Sequence, residues 1–394
     1  MDAYTNPFNP GAGCPPPALA GRDDVLNQAD ILLRRSLIGR SACSILLTGL
    51  RGVGKTALLQ EIGRSATNLG YHVASFEVRE GHSLASALVP QLRTILYALD
   101  TAAGVGEKVR RSLMVLRNFI SSIKLSAGEF SMDIEPLRGV ADSGDLSNDL
   151  PQLFLAAAEA AREKRSGIAL LVDEMQLLAK EEFNALILAM HIMQQEQVPL
   201  VLIGAGLPTL PRLAGQAKSY AERLFDYPII GRLDAAASTQ AIQQPARREN
   251  VTFSDAALAA IHEYSQGYPY FLQVWAYHVW NQAASSPIQA DDVKAAAHRV
   301  QARLDEGFFR VRFDRLTDAE KRFVSAMAEL GRPECGVSEI AAVMQRKPSG
   351  LGTTRDRLIR KGMVYMPRHG VVAFTVPLFD DFLRRKLLPQ GEGK

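Results

Sequence analysis

Short runs of consecutive apolar residues alternate with longer helical stretches through the first 230 residues of this chain. Cys43–Thr48, Tyr71–Val78, Ile168–Val172 and Pro199–Ile203 read as strands, with Tyr227–Ile230 as a fifth. Ala57–Asn68, Ser83–Leu99 and Glu181–Glu196 read as the helices between them. Strands without polar alternation, separated by helices, predict a parallel sheet covered on both faces. The fold class expected is therefore α/β. Residues 100–150 exceed a normal connection and are expected to be an insertion. In it, Glu107–Lys124 reads as a basic amphipathic helix, Ile123–Ile134 as a strand pair, and Ala141–Asn148 as a polar, acidic stretch. A partner contact and a plain surface elaboration both fit it.

Past Gly231 the pattern turns helical. Helices are expected at Asp255–Ser265, capped by Ser254, at Tyr268–Ala283 and at Ala290–Leu304. Thr317-Asp-Ala-Glu320 fits a capping box, whose hydroxyl and carboxylate satisfy amides at a helix start. Helices at Ala319–Leu330, Val337–Met344 and Ser349–Lys361 precede two short strands, Met363–Pro367 and Val371–Thr375, around a turn at His369-Gly370. The expected division is a Pro- and Gly-rich extended arm (1–20), an α/β core (21–231), a helical lid (232–313) and a terminal helix-turn-helix unit with a wing (314–394).

Gly49-Leu-Arg51-Gly52-Val53-Gly54-Lys55-Thr56 matches G-x-x-x-x-G-K-[ST], with an apolar strand before it and a helix, opening at Ala57, after it. Glycines let such a loop curl its N–H groups around phosphate oxygens, and the helix N-terminus adds positive potential. Lys55 is expected on the β- and γ-phosphates and the Thr56 hydroxyl on Mg²⁺. Ile168-Ala-Leu-Leu-Val-Asp173-Glu174 ends an apolar strand in two acids. Asp173 is expected to hold Mg²⁺, usually through water, and Glu174 to polarise the attacking water. Gln176 either orients this pair or is a plain surface residue. The expected ligands are thus ATP, or a close purine nucleotide, and Mg²⁺.

Composition narrows the rest. The 394 residues are 47% hydrophobic and 22% charged, as in ordinary globular proteins, and are expected to form two or three domains. No apolar run is long enough to span a bilayer and the first residues do not read as a signal peptide, so no membrane role is expected. Cys14, Cys43 and Cys335 are scattered, which excludes a disulfide framework and points to a reducing cytoplasm. The seven His show no metal-ligand spacing. Charge is uneven: Asp314 onward carries 15 Lys and Arg against 10 Asp and Glu, while the whole chain is only +3.

Together these motifs resemble the AAA+ and STAND P-loop ATPases, and more closely ATPases with an origin-recognition-like core. The resemblance runs along nearly the whole chain. It implies slow hydrolysis of ATP to ADP and phosphate by a switch, with a helical lid and a C-terminal winged helix. It places the segment ending at Gly21-Arg22 against the adenine, and likewise Pro269 of Gly267-Tyr-Pro269, which looks like a G-x-P element. Tyr220-Ala-Glu-Arg223 lies where the family often carries an arginine finger, acting on a neighbouring subunit's nucleotide or within the chain. An ordinary surface Arg has the same signature. After the fourth strand the family's γ-phosphate sensor is expected, but Gly204 and Gly206 stand there. The second sensor Arg of motor ATPases is not found in Tyr268–Trp280. The first departure puts the γ-phosphate sensor in doubt, and the second favours a switch over a fast motor. Arg346, Lys347, Arg355, Arg357, Arg360, Lys361 and Arg368 cluster where a winged helix meets duplex DNA. A homo-oligomer or a protein partner bound by that same unit, as in STAND signalling ATPases, is the alternative. Trp275, Trp280 and the tyrosines near them are expected in the lid core.

Overall fold

A computed structural model describes residues 1–11, 14–101, 106–123, 137 and 139–387. Its contacts divide the chain into two compact units, one comprising Arg22–Gly49 and Leu58–Ile229, the other Met1–Gly21, Leu50–Ala57 and Ile230–Lys394.

The elements of the first stretch run α1 (Asp23–Leu37), β1 (Ser44–Thr48), α2 (Lys55–Asn68), β2 (Tyr71–Glu77), α3 (Leu84–Thr101), α4 (Glu107–Ser122), α5 (Leu146–Glu163), β3 (Gly167–Asp173), α6 (Lys180–Gln195), β4 (Leu200–Gly206), α7 (Leu210–Ala217), α8 (Ala221–Leu224) and β5 (Phe225–Asp226). The five strands form one sheet in the order β2-β3-β4-β1-β5. Every pairing is parallel, with Ile203 of β4 opposite both Ile45 of β1 and Leu171 of β3. β1 and β4 are buried along their full length, as the unbroken apolar runs required. Each such Leu or Ile, fully buried, contributes about 1.5–3 kcal/mol. Gly63 of α2 allows close helix–sheet approach, since a Cβ there would lie 2.6 Å from Leu171 Cδ1.

Three expectations change here. β4 runs on to Gly206, because its glycines face neighbours that leave no room for a side chain. Strand β5 is Phe225–Asp226, and Ile229 only bridges Thr48. The described part of residues 100–150 is core: Val109, Leu116 and Phe119 of α4 lie in the same apolar cluster as Leu153 and Phe154 of α5. The Ser112 hydroxyl donates to Ala156 O at 2.6 Å, tying the two helices. Asp149, which follows the run Ala141–Asn148, is fully buried. It accepts the Ser143 N–H and hydroxyl (3.1 and 2.7 Å), the Gly144 N–H (2.9 Å) and the Ser122 hydroxyl (3.1 Å). A buried carboxylate so satisfied is a structural anchor. The strand pair expected over Ile123–Ile134 lies outside the described residues.

In the second unit the lid comprises α9 (Ala235–Arg248), α10 (Asp255–Ser265), α11 (Pro269–Gln282) and α12 (Ala290–Leu304). The Ser254 hydroxyl caps α10 through the Ala257 N–H, and Pro269 takes the first position of α11, where its missing N–H costs nothing. Trp275 and Trp280 are buried, as expected. The arm is extended but fastened to this lid. Asn6 donates to Tyr277 O at 3.1 Å, Trp280 Nε1 donates to Asp2 O at 2.9 Å, and Phe8 meets Phe253 and Trp280 edge-on.

From α12 the helix continues through a π turn, Asp305–Arg310, into α13 (Val311–Asp314). The remaining elements are α14 (Asp318–Leu330), β6 (Glu334–Gly336), α15 (Val337–Val343), a 3₁₀ turn (Pro348–Leu351), α16 (Gly352–Arg360), β7 (Val364–Tyr365), β8 (Val371–Phe374) and α17 (Phe379–Leu387). The expected capping box opens α14: the Thr317 N–H donates to Glu320 Oε2 at 2.8 Å and the Glu320 N–H to Thr317 Oγ1 at 3.4 Å. The antiparallel sheet β6-β8-β7 supplies one strand more than the sequence suggested. Three helices and a hairpin in this order are compatible with a winged helix-turn-helix.

Candidate nucleotide site

Parallel pairing puts the C-terminal ends of β1, β3 and β4 on one edge of the sheet, with β4 in the middle. Strand spacing separates the ends of β1 and β3 by roughly 10 Å. β1 leads into Gly49, whose N–H donates to Gly206 O at 3.1 Å. β3 ends on Asp173. Glu174 follows in the left-handed region (φ 54°), its N–H on Asp173 Oδ1 at 2.8 Å. Gln176 then joins the two strand ends. Its amide donates a short hydrogen bond to the Glu174 carboxylate, and its Oε1 accepts the Leu207 N–H at 3.0 Å. Gln176 is thus a positioning residue for Glu174.

This also explains the glycines at the end of β4. A Cβ on Gly206 would lie 2.7 Å from Gln176 Oε1, and one on Gly204 would lie 2.0 Å from Met175 Sδ. A γ-phosphate-sensing side chain at either position would displace the turn that carries Glu174.

The loop itself has the backbone its glycines promise, with φ +79° at Gly52 and +94° at Gly54. Val53 is buried. α2 starts at Lys55, so Lys55, Thr56 and Ala57 form its first turn. Lys55 is buried, and its ammonium donates to Leu50 O at 2.8 Å across the loop. Two positive-φ glycines, a lysine held across the loop and a helix start are brought together here.

Within the same unit the loop meets Tyr268, the residue before Pro269. Tyr268 is fully buried, and a Cβ on Gly52 would lie 3.0 Å from its hydroxyl. Burial pushes the Tyr268 hydroxyl well above the usual phenol range, and the positive charges of Arg312, Arg232 and Arg51 only partly oppose it. Arg51 also lies against the C-terminal unit: a Cβ on Gly362 would come within 2.5 Å of its guanidinium carbon. Tyr268 was expected in the lid core, and its contact with Gly52 escaped that expectation, because nothing local in the chain marks residues 268 and 52 as neighbours.

Arg22 stands at the start of α1, and burial lowers its pKa. Just before it, Gly21 packs on the lid, where a Cβ would lie 2.7 Å from Ala237 Cβ. Arg223 sits on α8 with an exposed side chain. Among the described residues no group of three or more His, Cys, Asp and Glu could hold a metal alone, and no helix is long and apolar enough to cross a membrane.

Comparison with known proteins concerns the fold. Residues 18–203 match the AAA ATPase domain, and residues 306–383 match a domain of unknown function (DUF8462). No curated protein sequence matches significantly. Among solved structures, the Walker-type ATPase PABY2304 of Pyrococcus abyssi is similar, with TM-score 0.55, 15% identity and coverage of 93% of this chain and 96% of that one. Cdc6p from Pyrobaculum aerophilum gives TM-score 0.46 at 16% identity, covering 98% and 99%. The Thermotoga maritima RuvB Holliday junction branch migration motor gives 0.44 at 17%, covering 90% and 92%. Identities this low speak to fold alone, and only the first superposition is close enough to use. Fold and loop define a P-loop ATPase. More narrowly, residues 18–203 are similar to an AAA ATPase domain, and the helices and small antiparallel sheet from Ile230 onward belong to one compact unit.

Proposed function

We propose that this protein is an ATP-binding, slowly ATP-hydrolysing switch that couples nucleotide state to its C-terminal unit. The loop from Gly49 to Thr56, with two positive-φ glycines and a buried lysine at a helix start, carries the reading. Lys55 grips the β- and γ-phosphates. Thr56 and Asp173 share Mg²⁺, which when bound draws charge from the phosphate oxygens. Glu174, held by Gln176, polarises the attacking water. Pro269 and Arg22 border the base. Arg223, exposed on α8, completes the charge compensation from a neighbouring copy of the chain.

Calorimetry with ligand-stripped protein tests this. The unaltered chain is expected to bind Mg-ATP, Lys55→Ala to lose that binding, and Glu174→Gln to bind but not turn over. An E174Q enzyme hydrolysing at the unaltered rate would remove Glu174 from the reaction.

The C-terminal unit is proposed to bind duplex DNA, through fewer cations than its sequence suggests. Lys361 pairs with Glu320, Arg368 with Glu334 and Arg355 with Asp356. Arg346, Lys347, Arg357 and Arg360 are exposed, without ion-pair partners among the described residues. Double substitution of Arg357 and Arg360 by Gln is expected to weaken DNA binding and to lower the salt slope by roughly 2. Absence of duplex binding by the unaltered chain at low salt would leave the unit as a protein-binding module.

A further inference from the structure

The helix that leaves the lid carries cations that the duplex contact proposed for α16 does not use. Arg299 and Arg303 of α12, and Arg315 at the end of α13, are exposed and have no ion-pair partners among the described residues. Helix phase and the π turn together set them on one side. At about 100° per residue, Arg303 stands about 40° round the axis from Arg299. In an unbroken α-helix Arg315 would stand about 160° away. The π turn Asp305–Arg310 inserts one extra residue, which takes about 100° off that angle and leaves about 60°. Helix rise makes the row from Arg299 to Arg315 about 24 Å long.

Packing carries the row on to α16. Arg303 lies over the π turn, where a Cβ on Gly307 would stand 3.5 Å from its Nη1. Next along the helix, Phe308 stacks on Tyr270 at 4.7 Å, and the Arg312 guanidinium carbon covers the same Phe308 ring at 3.7 Å. The Arg315 carbonyl then accepts from Lys361 Nζ at 3.0 Å. Lys361 closes α16, the helix that bears Arg357 and Arg360. The acids on this stretch are engaged elsewhere. Glu306 and Asp314 flank Arg310 at 3.4 and 3.9 Å, and buried Asp305 pairs with Arg385 of α17 at 2.8 Å. On α11, half-buried His278 faces the row: burial first, then Arg303 and Arg299, lower its pKa, so it is neutral at pH 7 and adds no competing charge. Planar guanidinium forks set along a line match the regular line of phosphates on a duplex, which carries one charge per about 1.7 Å.

We propose that Arg299, Arg303 and Arg315 extend the DNA contact of α16, binding phosphates of the same duplex along the helix that joins the lid to the C-terminal unit. The lid thereby holds DNA backbone directly and positions the duplex without reading its sequence. The inference rests on the duplex-DNA reading above.

The experiment is fluorescence anisotropy of the full chain with a labelled duplex two helical turns long, about 21 base pairs, titrated between about 50 and 200 mM salt. R299Q/R303Q is expected to lose about tenfold or more in affinity and to lower the salt slope by roughly 2. Arg299→Lys with Arg303→Lys should keep the slope, because a point charge still displaces a counterion. Adding R357Q/R360Q to R299Q/R303Q should lower the slope by roughly 4, since both sets touch one duplex. Thermal unfolding checks that each variant is folded, and Arg315→Gln, with a slope lowered by roughly 1, carries the test if R299Q/R303Q is not. No duplex binding by the unaltered chain at low salt overturns the DNA reading, and this inference with it. Duplex binding that R357Q/R360Q weakens but R299Q/R303Q and Arg315→Gln leave unchanged overturns this inference alone. So does a fourfold variant that binds no more weakly than R357Q/R360Q. Polyglutamate binding lost in R299Q/R303Q, with duplex binding intact, would make the row a surface for acidic protein and overturn the inference as well.

Discussion

Gln176 touches both Glu174 and the backbone at Leu207, so its side chain sets where the carboxylate stands relative to β4. Removing it with Gln176→Leu should slow turnover by roughly tenfold or more, as misplaced catalytic groups do, while leaving Mg-ATP affinity nearly unchanged. Steady-state kinetics beside calorimetry separates the two effects, and a parallel loss of affinity would mean that Gln176 supports the fold. Gly206→Ala should produce the same kinetic defect, because its methyl would need the space of Gln176 Oε1, 2.7 Å away. The sequence showed the loop, Asp173 and Glu174 plainly, since each is a contiguous run whose chemistry is local. It did not show why Gly204 and Gly206 replace polar residues. That reason is the pressure of Met175 and Gln176, two side chains from a different strand end.

Among the elements, α14 and α16 are joined by a pair that redefines a basic residue. Lys361 lies 2.6 Å from Glu320, whose side chain is only 1% exposed. Burial alone would raise the Glu320 carboxyl, but the Lys361 ammonium and the Thr317 amide and hydroxyl outweigh it and hold the carboxyl below its ordinary range. A depressed carboxylate stabilises the fold above its unfolded pKa and loses that contribution as pH falls through the folded value. The C-terminal unit should therefore lose stability on acidification below about pH 4.5. Lys361→Ala should cost roughly 1–3 kcal/mol by stranding the carboxylate, read by urea unfolding, and should flatten that acid dependence. DNA affinity lost by K361A without loss of stability would return Lys361 to the binding surface. Elements with one clear period were legible: α10, α12 and the start of α14 follow their sequence patterns closely. α5 was not, because its first turn lies in the Asp- and Ser-rich run that reads as a loop until Asp149 is seen to be buried. α17 escaped because its apolar residues, Phe379 and Phe382, gain meaning only against Phe309 of the π turn.

At the scale of the molecule, the parallel sheet and its order follow from unbroken apolar runs between helices, and were readable as a class. The assortment of segments was not. Residues 50–57 belong by contacts with the lid and C-terminal unit, although β1 and most of α2 belong with the sheet. Sequence proximity favours the opposite grouping, against which stand contacts such as Tyr268 with Gly52 and Gly362 with Arg51. Gly362→Ala puts a methyl into the Arg51 guanidinium, at a position whose φ of +62° already disfavours a side chain. It should shift Mg-ATP affinity although residue 362 is far along the chain from the loop. Calorimetry reads that shift, and unchanged affinity in a folded G362A protein would show that the contact transmits nothing.

The strip Leu50–Gly54, proposed to hold phosphate, therefore also meets Tyr268 at Gly52 and Gly362 at Arg51. Free energy is a state function, so whatever acts on one of these contacts is felt at the other in equal measure. A macromolecule that draws Gly362 away from Arg51 changes the hold on nucleotide by some factor, and filling the loop changes the hold on that macromolecule by the same factor.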